Sequence, residues 1–178
     1  MTDSDLPAPS LSGEEPSAKP ARMSRSVMSD IIFPSDTNYH GTMFGGVVMQ
    51  YIDKIATIAS MRHSRRGVVT ASSDSLDFLA PVKVGEAILL EAFVSWTHRS
   101  SMEVYVKVES ENLFTGERKT TATSFLTFVA LDEHGKPTPV PGVIPETDEE
   151  KRLYDSAKER YEARARRKAQ RKQGEARP

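Results

Sequence analysis

Residues 45–63 read GGVVMQYIDKIATIASMRH, and the spacing within them sets what kind of domain this chain can build. Val48, Ile52, Ile55, Ala56 and Ala59 follow a three-and-four rhythm, and Val47, Tyr51 and Ile58 carry apolar character onto a second face. Only a helix packed inside a domain can bury both faces, so the segment is predicted as a buried helix. A stripe of small and polar residues runs through it: Gly46, Gln50, Asp53, Thr57 and Ser60 recur at the spacing of one helix face. Asp53 is the odd residue there. Burial against apolar neighbours is expected to raise its pKa toward a value suited to a general base.

Upstream of the helix, RSVMSDIIFP alternates loosely and stops at Pro34, as a first strand would, and the loop SDTNYHGTMFGG follows it. Downstream, beyond Arg65-Arg66-Gly67, the chain turns to β-branched residues and period-two alternation. The runs are VVTASSDSLDFL, AILLEAFVSWTH, MEVYVKVESENLF and KTTATSFLTFVAL. The breaks at Arg99–Ser101 and at Thr115–Glu117 are short enough for hairpins between antiparallel neighbours. Strand, buried helix and four long strands make an α+β domain in which an antiparallel sheet must wrap one helix. Its open edge and outer face call for self-association.

The 178 residues hold one domain over residues 25–133, with tails on both sides. Residues 1–24 are rich in Pro, Ser and acidic side chains and are predicted to be disordered. Residues 134–178 combine a Pro-rich linker with a charged helix whose acidic start and basic end suit the helix dipole. Arg160 and Arg164 in it are read as a solvated charge run, or as a phosphate contact if the helix folds back. There is no cysteine, which excludes disulfides, thiolate metal sites and a Cys nucleophile and makes the cytoplasm the expected compartment. No run is apolar enough for a secretory signal or a membrane span. His40, His63, His98 and His134 lack ligand spacing, so no metal is expected. Without an aromatic platform or a helix-turn-helix pattern, the basic tail is not read as a nucleic-acid arm.

The pattern Asn38-x-x-Gly41-x-x-Phe44-Gly45-Gly46, then Asp53, Val69-Thr70-Ala71 and Asp77-Phe78-Leu79-x-Pro81-Val82-x-x-Gly85, resembles the hotdog-fold acyl-CoA hydrolases, and Arg99-Ser100-Ser101-Met102-Glu103-Val104 continues the match. The resemblance implies an antiparallel sheet wrapped around one long central helix. It also implies dimers joined sheet edge to sheet edge, trimers of those dimers, and active sites at the dimer interface. It makes Asn38 and Asp53 the catalytic pair, given to one site by opposite subunits. Arg99, Ser100 and Ser101 become the segment beside the nucleotide of coenzyme A, which is part of the substrate, so no separate cofactor is called for.

Thioester hydrolysis needs a water, a group to take its proton, and donors aimed at the oxygen that turns negative. Gly45 and Gly46 open the helix, where unpaired N–H groups meet the positive end of the dipole, and glycines let a carbonyl come close. Asp53 either activates water or attacks the carbonyl itself, and Asn38 orients water or carbonyl. Each residue alone has a plainer reading: Gly-Gly as a turn, Asn38 as a loop residue bonding its own backbone, Asp53 as a satisfied interface group. His40 has a structural reading, and a catalytic one only if the chain were a hotdog hydratase or dehydratase. A non-catalytic acyl-CoA sensor is the alternative from outside the enzymes.

Overall fold

The computed structural model describes residues 17–175. Seven strands and two helices follow in chain order: β1 (Lys19–Pro20), β2 (Ser26–Ile31), α1 (Gly45–Ser64), β3 (Gly67–Phe78), β4 (Ala87–His98), β5 (Ser101–Glu111), β6 (Arg118–Leu131), β7 (Val143–Ile144) and α2 (Asp148–Glu175). Five of the strands form an antiparallel sheet in the order β2-β4-β5-β6-β3, so the strand that follows α1 returns to the far edge.

Alternation along each strand gives the sheet two faces. Met102, Val104, Val106 and Val108 of β5 are fully buried on the inner face, beside Ile88, Leu90, Ala92 and Val94 of β4 and Leu126 and Phe128 of β6. The helix α1 lies against this face through Val48, Ile52, Ile55, Ala56 and Ala59. It ends at Arg65, which turns left-handed at φ 55° and returns its N–H to the Met61 carbonyl. The Tyr51 hydroxyl donates to Asp30 on β2, a bond that together with burial pushes the phenol up to about 12. This is the hotdog arrangement, a curled antiparallel sheet around one long helix.

Three expectations need correction. The second apolar face of α1 is covered only in part within one chain: Val47 and Tyr51 are half-buried and pack against the core, whereas Ile58 is exposed, as are Met49 and Met61. The domain also starts earlier than Arg25. Within residues 1–24, residues 1–16 lie outside the described residues, whereas β1 pairs in parallel with β7, and Ala21 and Ser24 are buried, with Ser24 Oγ accepting the Val94 N–H at 2.9 Å. Short polar side chains disguised a segment held by backbone pairing.

The charged C-terminal helix, third, is not a free solvated rod. Thr147 and Glu150 form a capping box at its start: Glu150 N–H donates to Thr147 Oγ1, and Glu150 Oε2 accepts the N–H of Glu146 and Thr147. Ala157 is fully buried, and the rings of Trp96 and Tyr161 lie 5.3 Å apart where α2 crosses the outer face of the sheet. Arg160 and Arg164 point at the sheet and pair with carboxylates there.

Candidate active site

The loop that leads into α1 is shaped by Asn38. Its Oδ1 accepts the N–H of His40 at 2.9 Å, its Nδ2 donates to Thr42 Oγ1 at 3.1 Å, and its backbone N–H donates to the Thr42 carbonyl at 2.9 Å. Gly41 supplies the positive φ, 72°, that closes the turn. The loop is fixed to the domain by Met43 N–H on the Val82 carbonyl and Phe44 N–H on the Asp36 carbonyl. Within one chain Asn38 is therefore a loop-building residue, with its side chain engaged locally. His40 is exposed and its ring lies 3.8 Å from that of Tyr39.

At the start of α1, Val47 and Val48 both donate to the Phe44 carbonyl. The N–H groups of Gly45 and Gly46 have no acceptor among the described residues, the condition expected at a helix N-terminus. The two glycines face different surroundings. A Cβ on Gly45 would meet the Phe78 ring at 3.2 Å, so this position carries no side chain because β3 packs against it. A Cβ on Gly46 would meet nothing within 4 Å. Gly46 borders a hollow that it shares with Gln50, Asp53, Thr70, Ser73 and Leu76.

Asp53 is exposed rather than buried, which corrects the expectation of apolar burial within a single chain. Thr70 of β3 donates from Oγ1 to Asp53 Oδ1 at 2.8 Å. One carboxylate oxygen is thereby held, and the other has no protein partner among the described residues. Met49 and Leu126 give the hollow apolar walls.

Gly46 and Asp53 thus come together, and Gly45 stands beside them with a free amide. Asn38 does not line this hollow. Arg99 and Ser100 form the β4–β5 turn, with Ser101 opening β5; the turn's carbonyls accept Val140 N–H and Ala130 N–H, Arg99 is exposed, and none of the three lines the hollow. Thr70 and Ser73 had no assigned role in the sequence reading. Thr70 belongs to the Val69-Thr70-Ala71 motif, but its partner across the hollow is a tertiary fact. Among the described residues no three His, Asp or Glu side chains are placed to hold a metal.

The surroundings of the hollow are exposed and apolar. Val69, Phe78 and Leu79, in and after the edge strand β3, are 47%, 53% and 63% exposed, and Met49 and Met61 of α1 are exposed too. An edge strand with this composition is a pairing surface.

Residues 40–114 match the family model described as thioesterase superfamily. The chain is 53% identical over 155 residues, 87% of its length and 90% of the relative's, to YkhA of Bacillus subtilis (strain 168), named as an uncharacterized acyl-CoA thioester hydrolase. An apo hexameric acyl-CoA thioesterase superposes with a TM-score of 0.84 at 54% identity, covering 86% of this chain and 98% of that one. The acyl-CoA hydrolase of Staphylococcus aureus, solved with butyryl coenzyme A, coenzyme A and coenzyme A disulfide, superposes with a TM-score of 0.84 at 47% identity, covering 88% and 96%. Structures of that hydrolase also carry alanine in place of an Asn, an Asp and a Thr, at the spacing that separates Asn38, Asp53 and Thr70 here.

Proposed function

This chain belongs to the thioesterase superfamily as an acyl-CoA thioester hydrolase, and we propose that it cleaves its substrate in the hollow between Gly46, Asp53 and Thr70. The hydrogen bond from Thr70 to Asp53 carries this reading. It fixes the carboxylate on the same helix whose first amides are free, two turns away. A thioester carbonyl set against the Gly46 amide gains a donor just where its oxygen turns negative. Asp53 then takes the proton of an attacking water, or attacks the carbonyl carbon itself and leaves an anhydride for water to open. By either route the carbon–sulfur bond breaks, the coenzyme leaves as a thiol and a carboxylic acid is released. The apolar walls suit an acyl chain.

Asn38 we assign to the hollow of a second copy. In its own chain it lies off the hollow, while the apolar β3 edge and outer α1 face offer the surface through which two copies would join. A trimer of such dimers is the proposed assembly, supported by the similarity to a hexameric thioesterase. The coenzyme's phosphates are assigned to Arg99, Ser100 and Ser101, because Arg99 is exposed and has no ion-pair partner among the described residues. No cofactor or metal enters the proposal, and the cytoplasm is the proposed compartment.

Thiol release from acyl-CoAs of graded length, measured with and without chelator, tests the proposal. The wild-type protein is expected to cleave at least one length class with chelator present, and Asp53→Asn to lower kcat by ~100-fold or more while still binding substrate. Binding without cleavage across the whole series would instead make the chain an acyl-CoA sensor.

A further inference from the structure

Opposite the hollow, on the outer face of the sheet, lies a set of charges that the reaction itself does not use. Glu103 of β5 is fully buried, and its carboxylate receives Arg160 at 2.7 and 3.1 Å and Arg164 at 2.7 Å. Arg164 continues to Asp74 at 2.5 Å, and Arg167 donates to the other oxygen of Asp74, also at 2.5 Å. The Asp74 side chain is 9% exposed and that of Arg164 11%. Burial works against the Arg164 charge, but hydrogen bonds and Coulomb attraction from Glu103 and Asp74 raise its pKa above the usual arginine value. Positions 160, 164 and 167 share one face of α2, so a single helix presents all three guanidinium groups to β5 and β3 across the intervening β6.

Asp74 sits where β3 lacks its own support. Pairing with β6 slips twice, between Thr70 and Ser72 and again between Ser73 and Leu76, so that the span from Thr70 to Leu76 faces the shorter span from Phe128 to Ser124. Asp74 has no register partner on β6. The slips have a consequence for the hollow. Regular alternation would put Thr70 and Ser73 on opposite faces, yet both line the hollow, together with Leu76. The wall of the hollow is therefore built from an irregular segment on an edge strand, held from behind by two arginines.

We propose that Arg164, through Asp74, is a positioning residue for thioester hydrolysis: it fixes the β3 bulges and with them Thr70 against Asp53 and the Ser73–Leu76 wall. The inference rests on the assignment of catalysis to the Asp53 hollow. Neither Arg164 nor Asp74 touches the hollow, so each can be changed without removing a reacting group. Arg160 keeps Glu103 paired when Arg164 is altered.

The test compares Asp74→Asn, Arg164→Met and Arg164→Lys with wild type and with Asp53→Asn, reading kcat and KM, amide hydrogen exchange of residues 70–76, and the thermal midpoint. Asp74→Asn and Arg164→Met are expected to lower kcat by about tenfold with KM changed less than about threefold, and to speed exchange in the bulges. Arg164→Lys, which keeps a charged donor, recovers part of kcat. The double variant Asp74→Asn/Arg164→Met falls no further than the worse single one, as expected of two groups acting through one contact. Wild-type kcat in Asp74→Asn beside an inactive Asp53→Asn overturns the clamp alone. A drop in kcat that follows the thermal midpoint, with exchange rising throughout the domain, also overturns it by reducing the network to general stability. Wild-type turnover in Asp53→Asn overturns the catalytic reading, and the link from Arg164 to turnover falls with it.

Discussion

Gly45 and Gly46 are neighbours in the chain with opposite duties. The first has no side chain because Phe78 fills the place where a Cβ would go, and the second because nothing does. In the proposed reaction geometry, a methyl group at position 46 projects into the space a substrate carbonyl must cross. Gly46→Ala is therefore expected to leave stability unchanged or raised by up to about 1 kcal/mol, since alanine is the better helix former. Turnover should fall by at least about tenfold as the carbonyl is kept from the amide. Thermal unfolding and thiol release on the same preparation check both halves, and full activity with a bound methyl would move the oxyanion site off Gly46. At this scale the sequence was readable for position, with a carboxylate along an apolar helix and a glycine pair at its start, but not for burial, since Asp53 is exposed. It was unreadable where the role depends on a partner far along the chain. Thr70 is an ordinary strand threonine until the fold brings it 2.8 Å from Asp53.

Among the elements, α1 and the four long strands were legible because hydrophobic period records them directly. The predicted AILLEAFVSWTH run is β4 residue for residue. The bulges of β3 left no such trace, since VVTASSDSLDF breaks alternation with small polar residues that fit either face. The placement of α2 was hidden for a different reason: an arginine that binds a buried carboxylate looks in sequence like one that binds water. The junction of α1 with the C-terminal segment makes an acid-sensitive point. His63 is fully buried, donating from Nε2 to the Pro141 carbonyl at 2.9 Å, and its Nδ1 has no partner among the described residues. Burial above all, with a lesser push from Lys19, lowers its pKa, while the Pro141 bond pulls upward. Below about pH 6.5 the unfolded chain takes up a proton that the folded chain resists. This contribution to stability is complete above that pH and is lost as pH falls toward the lower folded value. Between about pH 7 and about pH 5 the thermal midpoint of wild type should drop more steeply than that of His63→Gln, whose amide can still donate to Pro141. Parallel slopes would place the acid sensitivity elsewhere.

For the whole molecule, the question is what one chain lacks. It has a carboxylate, a threonine and the free amide of Gly46 at one hollow, an asparagine away from it, and apolar surface on both the β3 edge and α1. If the missing asparagine comes from a second copy, two defective proteins can repair each other. Asp53→Asn and Asn38→Ala, each inactive alone, are unfolded together and refolded as a mixture. A mixed dimer then holds one doubly defective hollow and one with both native groups, and about half of that dimer's sites should turn over. Light scattering at low concentration checks that the assembly forms. Mutants that fold, assemble and exchange subunits without any return of activity would put both groups in one chain. The open edge of a one-helix sheet was legible in the sequence, whereas which part of α1 would be left bare was not, because Met49, Ile58 and Met61 look like core residues.

The buried Glu103 also sets a timetable. The ribosome makes Arg160 57 residues after Glu103; at ~5–20 residues per second, the sheet waits roughly 3 to 11 s before this carboxylate on its outer face can meet its counter-charge. A message cut short before α2 would yield every strand of the five-stranded sheet and Gly46, Asp53 and Thr70 of the hollow, yet leave Glu103 with neither of its arginines. Completion of translation is thus written into the stability of the product, and a proteolytic system that removes loosely folded chains would clear the unfinished ones first.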